Sequence, residues 1–545
     1  MAMPPGHPPP QRRPAPPRLE ALSRLLLAAL PLAVLGACRH HERMPAPPAA
    51  NELVVGLESA PGHLDPRVAT DQASDFVFQL LMDGLMAKRP DGSLIPGLAE
   101  SWDILDEGRR YRFHIRPVAR FHDGRPLRAA DVAWTFNSIL EGKVPTSKKA
   151  AYGPLSHIEV VDELTVDFVL HEPWGGLLIN LTPGEGIVPA GTMPEDMQRH
   201  PIGSGPYRFV SRAPDRIVLE AWDDYPGGRS PLDRVIFREV FDATVRALEL
   251  EKGSVHLVVN ALPPDTVALF EDRPGFQVSQ RPGANYVYLG LNLEDPVLRD
   301  VRVRRALAHA VDRPRIAKTV WRGQGTATET LLPPGHWARN ESLPTIPHDP
   351  AAAARLLEQA GHRDPDGDGP RPRLALSFKV SNNELSLLQA QAVQAMLAEA
   401  GIEATIRSFE FATFYADVKR GAFQMFSLTW TGIADPDFYR NVFHSASIPP
   451  VGANRGRYRS AEVDRLISEG GRRSEPLARR PFYLQLQEVI HRDLPYVSLL
   501  TRNTVAVMLA GLEGYEGYPS GELYSIRQMR WRRDGEPAAR AAGAP

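Results

Sequence analysis

The hydrophobic and polar positions of this chain change period repeatedly, and each change marks an element. Glu52–Leu57 (ELVVGL) is a short run rich in β-branched residues and predicts a strand. Asp75–Met86 (DFVFQLLMDGLM) carries apolar residues at helical spacing, with Asp75 placed to cap it. Arg110–Ile115 alternates as a strand does, Ala130–Leu140 reads as a helix, and Leu164–Leu170 and Ile217–Ala221 are further strands. Val301–Val311 and Pro350–Ala360 predict helices, the second stopped by Gly361 as a left-handed terminator. Leu385–Ala400 predicts a long helix ended by Gly401, followed by a strand at Glu403–Ile406. Glu475–His491 reads as a helix and Tyr496–Thr501 as a strand. Helices and strands mixed in this way, with no internal repeat, predict an α/β protein of at least two lobes.

The length of 545 residues agrees, being well beyond one ordinary domain. A net charge of −2 provides no basic field for nucleic acid. The single cysteine excludes an internal disulfide framework and any zinc site built on several cysteines. That cysteine, Cys38, closes a leader: an arginine-containing start, the apolar run Leu25–Gly36, then Ala37-Cys38. The run is too short to span a bilayer, so residues 1–37 read as a secretory signal peptide. Leu35-Gly36-Ala37-Cys38 resembles a bacterial lipobox, which implies cleavage before Cys38 and lipidation of its thiol. Several acyl chains would hold the protein on a membrane more durably than one. Residues 38–50, Pro/Ala-rich and aperiodic, suit a tether, and residues 534–545 a disordered tail.

Motifs for catalysis fail one by one. Gly203-Ser204-Gly205 lacks the spacing of a nucleophile elbow, and His171-Glu172 has no second histidine one helical turn later. No phosphate-cradling glycine loop is present. Asp364-Pro-Asp366-Gly-Asp368 begins like a calcium loop, but its twelfth position is Ala375 and two prolines interrupt it, so it reads as a turn. The expectation is a protein that is no enzyme, with no cofactor and no metal centre.

One set of segments carries more. In order come Pro96–Trp102 (PGLAESW), Tyr111–Arg116 (YRFHIR), Phe121–Leu127 (FHDGRPL) and Ala130-Asp131-Val132. They are followed by Pro201–Tyr207 (PIGSGPY), Val301–Leu307 with Ala310–Arg313, Asp349-Pro350, and Trp430 with Asp435-Pro436-Asp437. Together they resemble the family 5 extracellular solute-binding proteins, the peptide, oligopeptide and nickel receptors of ABC importers. The resemblance runs from about Glu52 to about Arg532. Within it, Trp102, Trp134 and Phe136 read as core residues and the glycines of Pro201–Tyr207 as a tight turn.

The resemblance implies a two-lobed clamshell of the large peptide-receptor type that closes on its ligand. One lobe would comprise residues 51–286 plus 500–533, with the family's subdomain insert, and the other residues 287–499. It implies a monomeric, membrane-anchored lipoprotein of the periplasm or cell envelope, which delivers a peptide or small solute to an ABC permease and ATPase complex. Peptide receptors of the family carry an aspartate three residues after the tryptophan, for the ligand's α-amino group. Here that position is Ile433. They also tend to carry an arginine at the start of the long helix in the second lobe, and Ser381–Leu388 has none. A nickel chelate, another organic solute or a sensing role are therefore the alternatives. The expected ligand contacts are Trp430 as an apolar wall, Asp435 beside it, and Tyr207 and Tyr415. Asp435 has a second reading, as a helix cap or turn former before Pro436.

Overall fold

A computed structural model describes residues 51–533 except Ser147 and Asp368; the leader with Cys38, the tether, the tail and one aspartate of the Asp364–Asp368 turn lie outside the described residues. Among the described residues no helix is long and apolar enough to cross a membrane.

An eleven-stranded mixed sheet runs through the protein. From one edge its order is Ile402–Phe409, Leu374–Ser381, Met425–Trp430, Phe276–Leu291, Tyr496–Leu509, Leu257–Val259, Glu52–Leu57, Arg234–Glu239, Arg216–Ala221 and Tyr207–Ala213. Gly325–Ala327 pairs with Tyr496–Leu509 off this path. The two long strands, of 16 and 14 residues, pair antiparallel along nearly their whole length. Their register breaks between Arg281 and Asn285. Pro282 has no N–H to give there, and a side chain on Gly283 would place its Cβ 2.3 Å from the Arg502 carbonyl oxygen.

This break divides the cores. Val278, Val505, Val507 and Leu509 pack with residues of the first half of the chain. Val287, Leu289, Val497 and Leu500 pack with residues 291–425, and Tyr286, Tyr288 and Tyr496 with residues 331–489. A further core, residues 85–202, is built on the four-stranded sheet containing Ala99–Leu105 and Arg110–Ile115.

Most predicted elements form within a residue or two of their expected bounds, among them the helices Ala129–Leu140, Val301–Ala310, Pro350–Gln359 and Glu384–Glu399. Gly361 and Gly401 take positive φ just past the last two, as their positions predict. The first helix differs. It spans Gln72–Leu81, and its cap is Asp71, whose Oδ1 accepts from the Ser74 N–H at 2.8 Å. Asp75, expected as the cap, sits inside the first turn. The helix stops before Met86 because Met82 turns extended and Gly84 lies against the Leu181 backbone.

His122, from the Phe121–Leu127 segment, fixes the Gly203–Gly205 turn. Its Nδ1 accepts from the Gly203 N–H at 3.1 Å, so its Nε2 carries the proton and donates to the Gly205 carbonyl at 3.0 Å. Burial pushes the imidazole down to about 4. His256 is alike: Nδ1 accepts from the Val54 N–H at 3.0 Å, and burial pushes it to about 4. A histidine depressed when folded contributes stability above its unfolded value near 6.5 and loses it as pH falls towards 4. The wild-type protein should therefore lose up to about 3 kcal/mol relative to His256→Asn between pH 6.5 and 4, measured by urea unfolding. A difference independent of pH would refute the neutral, accepting ring.

Candidate functional site: a two-chambered cleft between the cores

Two cavities adjoin where the first-half cores face the loop after Met425–Trp430. The first encloses about 550 Å³. Its wall comes from the helix Gln72–Leu81 and its cap, the turn at Thr182–Glu185, Lys88, Lys148, Thr431–Ala434 and the segment Ser520–Tyr524. The second encloses about 580 Å³ and is lined by Pro282, Pro333, Pro334, Trp337, Ile433 and Pro519, among others. Lys88, Ala434 and Ser520 belong to both walls, so the chambers form one cleft. Each has the size and mixed lining of a small-molecule site.

The first chamber is charged. Lys148 donates to both oxygens of Glu185, at 2.9 and 3.0 Å, and to the Pro66 carbonyl at 2.6 Å. Lys88 pairs with Glu522, 434 residues away in sequence. Asp71 is taken up by its cap, accepting from both the N–H and the hydroxyl of Ser74. Asp75 accepts from the Gln79 amide at 2.7 Å, and among the described residues no lysine or arginine lies within ion-pair distance of it. Burial pushes its carboxyl up to about 6; the Gln79 amide and the Lys148 charge oppose this, and Glu522 and Glu185 add to it.

The expected contacts scatter. Tyr207 is a correction: its side chain is wholly buried in the first-half core, its hydroxyl directed at the Leu232 carbonyl, so no ligand in the cleft reaches it. Asp435 lies near the cleft, but Arg479 donates to both of its oxygens, at 2.9 and 2.7 Å, and the Asp437 N–H takes Oδ1. The turn-forming reading of Asp435 is thus the one its contacts fit. Trp430 and Tyr415 do come together, on either side of Arg455. The guanidinium lies 4.0 Å from the Trp430 ring centroid and 5.0 Å from that of Tyr415, and it donates to the Tyr415 and Tyr288 hydroxyls. Arg455 is 5% exposed, and these rings take the place of a carboxylate.

A seam flanks the cleft. The Gly175 N–H donates to the Gly471 carbonyl at 2.9 Å, Tyr111 donates to the Ser474 hydroxyl at 2.9 Å, and Arg479 donates to the Gly175 carbonyl at 3.2 Å. These bonds join the core holding Tyr111 to the region holding Tyr483.

The model of the bacterial extracellular solute-binding proteins, family 5 Middle, matches residues 93–449. The chain belongs to this family. It is accordingly a binding protein rather than an enzyme. A probable di/tripeptide-binding protein 5 of Pseudomonas aeruginosa (strain UCBPP-PA14) is 30% identical over 512 residues, which cover 87% of this chain and 95% of that protein. The dipeptide-binding protein of Escherichia coli (strain K12) is 27% identical over 507 residues, 87% and 93% of the two chains. Among solved structures, the oligopeptide-binding protein AppA from Bacillus subtilis, in complex with a nonapeptide, superposes with a TM-score of 0.73 at 27% identity, covering 88% of this chain and 99% of that one. The two-lobed architecture of such receptors is the fold of this family 5 protein.

The paired cleft lysines that sequence reasoning missed have partners outside their own elements. Lys88 with Glu522, and Lys148 with Glu185, carry no motif. Asp75 had a visible signal, the one carboxylate on the helix Gln72–Leu81, but its place near the start of the apolar run served equally well for a cap. The loop Pro333–Trp337 was legible as a turn from its Pro-Pro-Gly and not as a wall.

Proposed function

We propose that this family 5 protein is the periplasmic receptor of an ABC importer for peptides, tethered to the membrane through Cys38 and handing its ligand to a permease and ATPase complex. The supporting observation is the two-chambered cleft between cores that share two long strands, in a chain whose relatives include proteins named as di/tripeptide-binding. The strand break at Arg281–Asn285, opposite Arg502–Thr504, is the natural hinge between a lobe built on the first half of the chain with the C-terminal return and a second lobe, which Tyr286 and Leu500 already join by their packing. A ligand held between them contacts both lobes only when they close, so capture and closure are one event. The protein acts as a monomer, since each chain carries a whole cleft.

Native mass spectrometry of the mature protein, followed by denaturing release, tests the reading. Short peptides are the expected release products; a metal chelate or a haem would replace the peptide reading with another solute. Cys38→Ser should move the protein from the membrane fraction to the soluble periplasmic extract, and continued sedimentation with membranes would refute the anchor.

A further inference from the structure

A separate cavity of about 350 Å³ shares no lining residue with either chamber of the cleft. It lies where two cores of the first lobe meet. Asp83 and Arg527 follow Met82 and Ile526 of the core holding Tyr207, and Leu98 and Ala119 belong to the core holding Tyr111. The paired strands Met86–Lys88 and Leu94–Pro96 serve both spaces: Ala87 and its partner Ile95 line this cavity, while Lys88 lines the cleft. Three arginines line the cavity, Arg116, Arg120 and Arg527, against one carboxylate, Asp83. Tyr225 already donates to both oxygens of that carboxylate, at 3.3 and 3.0 Å. Arg116 donates from Nε to the Gly97 carbonyl at 2.8 Å, and Arg120 from Nη1 to the Gly124 carbonyl at 3.3 Å. Arg527 comes no nearer to a carboxylate among the described residues than 3.9 Å, from Nη2 to Asp83 Oδ1, and its Nε is buried without a hydrogen-bond partner.

We propose that this cavity is a second binding site, which takes a small oxyanion, a carboxylate or a phosphate on a short carbon skeleton, held by Arg116, Arg120 and Arg527. The planar fork of an arginine matches the oxygens of either group two at a time. Three guanidiniums around one concave space repel one another, and an anion that supplies the missing charge offsets that cost. The volume is at the lower end of small-molecule sites, about 300–1,000 Å³. Ile95, Pro96 and Leu98 offer the carbon skeleton an apolar side. Because its wall draws on both cores, the site braces one part of the first lobe against the other when filled, whatever solute the cleft captures.

Succinate, citrate and glycerol 3-phosphate are the probes, titrated calorimetrically into the mature protein at constant ionic strength, with sodium chloride as the control. At least one should bind saturably where chloride does not, and the carboxylate and phosphate arms tell which oxyanion is preferred. The Arg120 side chain is exposed and bonded to a single loop carbonyl, so Arg120→Gln should fold as the wild type does. It should weaken binding of that probe about tenfold. Arg527→Gln should weaken it at least as much, and if that variant fails to fold, Arg120→Gln decides alone. Saturable binding of none of the three probes, or binding that Arg120→Gln leaves unchanged, overturns the site and leaves the peptide receptor standing.

Discussion

Replacing Arg479 by alanine should destabilise the protein by about 3–5 kcal/mol, the largest effect of any single substitution near the cleft. The guanidinium is 2% exposed and holds both oxygens of Asp435 while donating to the Gly175 carbonyl across the seam. Its face also lies 5.4 Å from the ring centroids of Trp337 and Tyr483. Truncation leaves a largely buried carboxylate without its cation, and that desolvation is the main cost. Asp437 sharpens it, since burial and the charge of Asp435 already push its carboxyl up while Arg479 opposes them. Urea unfolding measures the loss, and a change below about 1 kcal/mol would show that the pair is dispensable. The double variant Asp435→Asn with Arg479→Ala should recover part of the loss, because no charge is then stranded.

Gly175→Ala attacks the same seam sterically. A Cβ there would lie 1.9 Å from the Arg473 carbonyl oxygen and 3.0 Å from Arg479 Nε. The closer atom is backbone, so the two sides must part. Overpacking of this kind costs about 1–3 kcal/mol, and if the lobes close across this seam, as proposed, the cost falls on the closed form. Because 1.4 kcal/mol is tenfold in affinity, retained ligand should bind roughly 5- to 150-fold more weakly. Small-angle scattering should show a larger radius of gyration for the ligand-free protein, with unchanged circular dichroism. Unaltered affinity and radius would mean that the seam does not report closure.

Both experiments act on Asp435, or on the arginine that occupies it, and this residue shows how far sequence reasoning reached. Its neighbourhood was legible: Trp430, the Asp-Pro-Asp run and the absence of a carboxylate at Ile433 all stood in one short segment. Which way its side chain turned was not, because Arg479 lies 44 residues on and no motif links the two. Tyr207 failed for a related reason. It sits in a family-like turn at the start of the strand Tyr207–Ala213, and it is the one residue of that strand that is buried, with its ring in the core. Tyr415 and Trp430 were chosen separately, and a buried arginine, Arg455, brings them together.

What the sequence by itself determined is what local chemistry and order along the chain can carry. Helix and strand periods, the glycines that end Pro350–Gln359 and Glu384–Glu399, and a series of short motifs were enough for the α/β class and the family. Tertiary structure alone decided the cleft. Its charged wall depends on pairs such as Lys88 with Glu522 and Lys148 with Glu185, which no motif announces. Helical period follows from neighbours three and four residues apart, whereas charge neutralisation in the cavity joins groups from separate elements, 37 residues apart for Lys148 and Glu185 and 434 for Lys88 and Glu522.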